Sequence, residues 1–219
     1  NLVRVVGRQS VYEATTNADS VTACIFAYEK NNRFELDDAA WTNNVAKATY
    51  LNCSQSTLGQ CVFELKNHAE FYTTNQFYMT GVNYRSLSNL LSIVSGSRLY
   101  SMGAVGVFSI GNVFSISNGT LETGGDFTVT ARSNSNQMYG YSNNWVKVAG
   151  ERPRISATNG TFAVQYASYL QFDYPASGYE AGVVPVKAKA FTVSSDSVLI
   201  ANGLEARIKA LKGSEIATL

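Results

Sequence analysis

The feature that most constrains this chain is its cadence. Short runs of β-prone residues recur from one end to the other, with turn-forming residues between them. The runs fall near residues 2–6, 21–28, 46–52, 61–65, 76–82, 105–110, 112–117, 127–131, 144–148, 155–157, 162–172 and 183–193. Turn signals separate them at Asn31/Asn32, Asn118/Gly119, Gly124/Gly125, Asn143/Asn144, Asn159/Gly160 and Ser177/Gly178. The Asn-Gly pairs are the most specific, because a two-residue hairpin turn needs positive φ at both centres. Asn118/Gly119 is expected to close a hairpin after residues 113–117, and Asn159/Gly160 to join 154–157 to 161–166. Many short strands joined this way predict a mainly β chain. The expectation is an antiparallel β-sandwich or barrel, with a jelly roll among the options.

Two segments read as helix. In residues 86–94, Leu87, Leu90, Leu91 and Val94 recur at helical spacing and Gly96 would end the run. In residues 195–212, Ser195 or Asp196 offers a cap, and Leu204, Ile208 and Leu211 form one stripe. The expected organisation is therefore a β-rich domain over 1–194 and a C-terminal helical segment over 195–219, with no internal repeat.

Composition narrows the function. Charged residues make up only 15% of the 219, against about 25% in an average protein. The 17 basic and 16 acidic residues are dispersed and leave a net charge of +1. Phosphate neutralisation has little to draw on, so no nucleic-acid partner is expected. The longest apolar-leaning stretch, 103–116, falls short of the roughly 18 residues of a membrane helix, so no span is expected.

The chain has one histidine, His68. It cannot form a two-histidine metal site, and no G-x-S-x-G elbow places a serine for it. Cys24, Cys53, Cys61 and His68 lack the close paired spacing of a zinc site, so no metal is expected. The glycines at 103, 106, 124 and 125 match no phosphate-binding loop, and no cofactor is expected. Carboxylates are scattered, with Glu35, Asp37 and Asp38 the only cluster. The reading is a protein that is not an enzyme. Cys53 and Cys61 flank a polar loop between β-like runs; a disulfide across it and two reduced thiols both fit.

The most site-like stretch is 136–145. Tyr139, Tyr141 and Trp145 present amphipathic rings, and Asn143 and Asn144 supply amides, as a carbohydrate or protein surface would meet. The alternative is that Tyr139 and Trp145 turn inward as core anchors. The remaining candidate is the C-terminal stripe of Leu204, Ile208 and Leu211, which must pack on the domain's own sheet or on another copy.

Residues 202–212 place Leu204, Arg207, Ile208 and Leu211 in a Leu-x-x-Arg-Ile-x-x-Leu pattern. The segment resembles short coils in tail, fibre and decoration proteins of tailed bacteriophages. That resemblance implies a virion structural or attachment part in a virion or extracellular setting. Its partners would be copies of itself and neighbouring virion proteins. A secreted carbohydrate-binding domain or adhesin, contacting surface glycan, is the alternative.

Overall fold

The structure is a computed structural model, described over residues 2–7, 11–15, 23–26, 31–44, 48–52, 61–79, 88–108, 110–130, 143–202, 207–210 and 216–218. The chain enters with β1 (Leu2–Val6), β2 (Val11–Thr15) and β3 (Ala23–Phe26), and then repeats the trio. The next coil is β4 (Arg33–Asp37), β5 (Ala40–Asn44) and β6 (Ala48–Asn52). After it come β7 (Val62–Lys66), β8 (Glu70–Thr73) and β9 (Gln76–Tyr78), then β10 (Leu90–Val94), β11 (Arg98–Ser101) and β12 (Val105–Val107). The trio β13 (Val113–Ser117), β14 (Thr120–Thr123) and β15 (Phe127–Thr130) follows. In the next coils β16 (Trp145–Ala149) is followed by one long strand, β17 (Arg154–Gln165), and β18 (Tyr169–Asp173) by β19 (Val186–Val193). Last come β20 (Val198–Asn202), β21 (Arg207–Ala210) and β22 (Ile216–Thr218).

Up to β21, strands pair with their counterparts in the neighbouring coils, not with the next strand in sequence. In sheet A, β1, β4, β7, β10, β13, β16, β18 and β20 lie side by side, every neighbouring pair parallel. Sheet B has two legs, one built on β2, β5, β8, β11 and β14 and the other on β3, β6, β9, β12 and β15, which merge in β17. β19 and β21 continue it in parallel, and β22 runs antiparallel to β21. The chain is thus a three-sided parallel β-helix with roughly 23 to 32 residues per coil.

This corrects the antiparallel sandwich or barrel. Alternating apolar and polar residues report that one face of a strand is buried; they carry no information about strand direction. Parallel sheets usually lose that alternation because helices cover both faces. Here the sheets wrap a core and keep the other face outside, so the alternation survives. Neither Asn-Gly pair closes a hairpin. Asn118 has a φ of +53° and does turn the chain, but it makes the corner from β13 in sheet A to β14 in sheet B. Asn159 and Gly160 lie within β17, where the register against β19 shifts between Ala157 and Thr161. A repeat is present after all, masked in the sequence by corners of unequal length.

Neither expected helix occurs among the described residues. Leu90–Val94 is β10, with Leu91 and Ile93 buried, while Leu87 lies outside the described residues. At the C-terminus Arg207–Ala210 is a strand, and Ile208 is in register with the buried Val186. Leu204 and Leu211 lie outside the described residues. β20 and β21 continue sheets A and B past residue 195.

The core is a set of apolar columns. In sheet A, Phe34, Phe63, Leu91, Phe114, Val146 and Leu170 stack in register, all buried. Aromatic rings knit the columns across the interior: Phe63 meets Phe71 edge-on at 5.2 Å, and Phe127 stacks on Phe162 at 4.8 Å. A polar column runs beside them, one residue before each sheet A strand. Backbone N–H groups of Cys61, Asn89 and Asn112 donate to Oδ1 of Asn89, Asn112 and Asn144, at 3.1, 2.8 and 2.9 Å. Asn112 Nδ2 donates to the Met79 and Phe108 carbonyls, and Asn144 Nδ2 to that of Thr130. This ladder satisfies backbone groups that the corner would otherwise leave buried and unpaired.

Candidate functional site

With the core side chains turned inward, chemistry on this solenoid sits on the outward positions. In a parallel stack these form columns spaced by about 4.8 Å, so like positions in successive coils become neighbours.

The outermost column of sheet A is apolar through most of its length. Val62, Leu90, Val113, Trp145, Tyr169 and Val198 are in register across β7, β10, β13, β16, β18 and β20. The first five are half-buried and Val198 is exposed. Ser92 and Ser115 stand in the adjacent outward column, keeping that part of the face flat. Toward the C-terminal coils the Trp145 and Tyr169 rings stack at 4.3 Å, 7° from parallel, and the Lys147 ammonium lies 5.3 Å from the Trp145 ring. Gln171 and Asn202 both donate to the Asp173 carboxylate beside them.

At the N-terminal coils the same face is a charge network. Arg4 holds Asp37 at 2.5 Å and Glu35 at 3.2 Å, Arg33 bridges Glu35 and Glu64, and Lys66 reaches Glu35 at 3.1 Å. The hydrogen bond from Arg33, then that from Lys66, holds Glu35 below the usual carboxylate range, against a burial effect that raises it. Asp37 is lowered chiefly by hydrogen bonds from Asn67 and Arg4. The network compensates its own charge and acts as a brace.

Sheet B carries a hollow. Asp38, Ala39, Ala40, His68 and Glu70 line a space of about 460 Å³ at the corner before β5 and β8. A second space of about 230 Å³, lined by Glu70, Phe71, Tyr72, Arg98 and Tyr100, shares Glu70 with it. Tyr72 and Tyr100 stack at 5.1 Å, 10° from parallel. Arg98 bonds to Glu122 in the following coil, with its guanidinium 5.7 Å from the Tyr100 ring.

The sequence-predicted site divides. Trp145 faces outward in sheet A, whereas Asn144 is fully buried in the asparagine ladder and braces the corner behind it. Asn143 is exposed, with a φ of +39°. Tyr139 and Tyr141 lie outside the described residues. Cys61 is a buried thiol whose pKa is raised, first by burial; Cys53 lies outside the described residues. Sequence reasoning missed Tyr169 and Lys147 beside Trp145, and missed the whole sheet B hollow. One signal was available: Glu70–Thr73 and Arg98–Ser101 share the order polar, apolar, Tyr, hydroxyl, the mark of equivalent strands in successive coils.

No helix of the described residues is long and apolar enough to cross a membrane. No protein-family model, curated protein or solved structure matches the chain.

Proposed function

We propose that this chain is a non-enzymatic structural or attachment component, of the virion or surface-assembly kind. Its stiff solenoid presents a sheet face to copies of itself and to neighbouring proteins. The observation that carries the reading is the apolar column on sheet A. Six in-register rungs from Val62 to Val198 span about 24 Å at the usual strand spacing. The small Ser92 and Ser115 beside it allow a second surface to approach closely. A continuous outward apolar row is costly in water and marks a contact surface more often than chance exposure does.

Light scattering on the purified chain tests this. The chain is expected to be oligomeric, and Val113→Lys, which puts a charge in the middle of the row, is expected to give a folded monomer. A wild-type monomer, or an unchanged mass for a folded V113K, contradicts the reading. The Trp145–Tyr169 stack with Lys147 supports a second reading, contact with surface carbohydrate, since sugars use aromatic platforms bordered by polar groups. On a glycan array, specific binding lost in Trp145→Ala favours it, and a blank array removes it.

A further inference from the structure

The sheet B hollow is built from a mismatch between neighbouring coils. β5 presents small residues and β8, one rung above, presents large ones: Ala40 is in register with Glu70, and Thr42 with Tyr72. The result is a step, with Ala39, Ala40 and Thr42 as its shelf and His68, Glu70 and Tyr72 as its wall. Tyr100 covers one face of the Tyr72 ring. On the opposite side β5 places Thr42 in register with Tyr72, a side chain too short to cover a ring. His68 leans away from the shelf onto the next coil: a Cβ added at Gly96 would come within 2.8 Å of its ring. That keeps the larger space open.

Glu70 stands out from the other acids. Glu35, Asp37, Glu64, Glu122, Asp126, Glu151, Asp173, Glu180 and Asp196 each accept a hydrogen bond or an ion pair. Glu70 has neither among the described residues, although Arg98 sits directly above it in register. Arg98 turns upward to Glu122 instead. The hydroxyls of Tyr72 and Tyr100 and the imidazole of His68 likewise have no hydrogen-bond partner among the described residues. The Tyr72 ring and the unpaired Glu70 carboxylate thus border the smaller space, and Glu70 and His68 border the larger one next to it. Asp38 adds a second acid on the shelf side.

We infer that this step is a binding site for an amino sugar, with the pyranose ring against Tyr72 and its protonated amine on Glu70. The carboxylate supplies the charge-assisted hydrogen bond and the ring supplies the apolar and cation–π contact. The shelf of small residues leaves room for the neighbouring sugar units. This inference concerns sheet B and does not rest on the reading of sheet A.

Titration calorimetry on the full chain tests it with three probes: a glucosamine tetramer, its fully N-acetylated counterpart and tetralysine. The glucosamine tetramer is expected to bind at least about tenfold more tightly than either of the others, one such step being about 1.4 kcal/mol. Glu70→Gln and Tyr72→Ala are each expected to weaken it by about tenfold or more, with melting temperature and circular dichroism confirming a folded chain. Lys189→Ala, at an exposed position of β19, is expected to leave it unchanged. Equal binding of the N-acetylated tetramer shows that the amine is not read, and overturns the inference. Tetralysine binding as well or better shows a cationic peptide site, which also overturns it. No binding by any probe, or full binding by a folded E70Q, does the same.

Discussion

Asn112 closes three hydrogen bonds inside the solenoid. Its Oδ1 takes the Asn89 N–H, and its Nδ2 donates to the Met79 and Phe108 carbonyls. Asn112→Leu fills the space but strands those buried groups, each at about 1–3 kcal/mol. We expect a loss of about 2–4 kcal/mol in urea unfolding, with the m-value unchanged; an unmoved midpoint would show that the ladder is decorative. Tyr179 is the opposite case. Its buried hydroxyl has no hydrogen-bond partner among the described residues, and burial, with Tyr174 and Asp173 nearby, pushes its pKa up to about 12. Tyr179→Phe removes that unmet group, so it is expected to leave stability unchanged or raise it by up to about 1 kcal/mol. A clear drop in melting temperature would mean that the hydroxyl is satisfied. These two residues also show why the candidate site was only partly legible. Asn144 attracted attention because it sits beside Trp145 in an amide-rich stretch. An asparagine that bonds a ligand and one that bonds the backbone of the next coil are the same letter. Only the recurrence of Asn89, Asn112 and Asn144 ahead of β-like runs separates them, and that needs the coil repeat to be seen first.

At the scale of the element, parallel stacking dictates which charges meet. Glu35 is in register with Glu64, a like-charged pair that would repel, and Arg33 and Lys66 bridge them. Because the folded-state pKa values of Glu35 and Asp37 are depressed, their contribution is present above the unfolded carboxylate range, about pH 4. It is lost as pH falls through that range toward the lower folded values. The melting temperature should be level from pH 7 to about 5.5 and fall below about pH 4.5, and Glu35→Gln combined with Asp37→Asn should flatten the fall. An equal acid loss in the double variant would place the sensitivity elsewhere. Corners set a second requirement. A Cβ at Gly119 would lie 2.6 Å from the Ile93 carbonyl oxygen one coil below. Gly119→Ala should therefore cost about 1–3 kcal/mol by forcing the coils apart, and a neutral result in thermal unfolding would mean that the corner can give. The elements themselves were largely legible: the inward Phe114, Ile116, Val146 and Val148 follow from alternation alone. The helix expected at 86–94 failed because Leu90, Leu91 and Val94 fit a helical stripe, while the same segment with Ile93 fits period two. A run of that length satisfies both periods, and packing against β7 and β13 decides it.

The whole molecule is a run of coils stacked in parallel. Such a molecule is close to one-dimensional, each coil held mainly by the one before and the one after. Mainly β character was readable from cadence and turn residues. The direction of the strands was not, because it lies in contacts about one coil apart, beyond the reach of any local pattern. The proposed functions inherit this dependence, since the apolar column of sheet A and the step on sheet B exist only if equivalent positions of successive coils are neighbours. Cross-linking tests that directly. Ser92 and Ser115 face outward in register on β10 and β13, with Leu90 against Val113 and Val94 against Ser117 on either side. In a parallel stack their Cα atoms lie about 4.8 Å apart. With Ser92→Cys and Ser115→Cys introduced together, a short bifunctional thiol reagent should link the two positions within one chain, as read by peptide mass mapping. Ser92→Cys paired with Asn202→Cys, several coils away, should not link. Failure of the 92–115 link when both thiols react singly, or a 92–202 link in its place, would contradict the parallel solenoid.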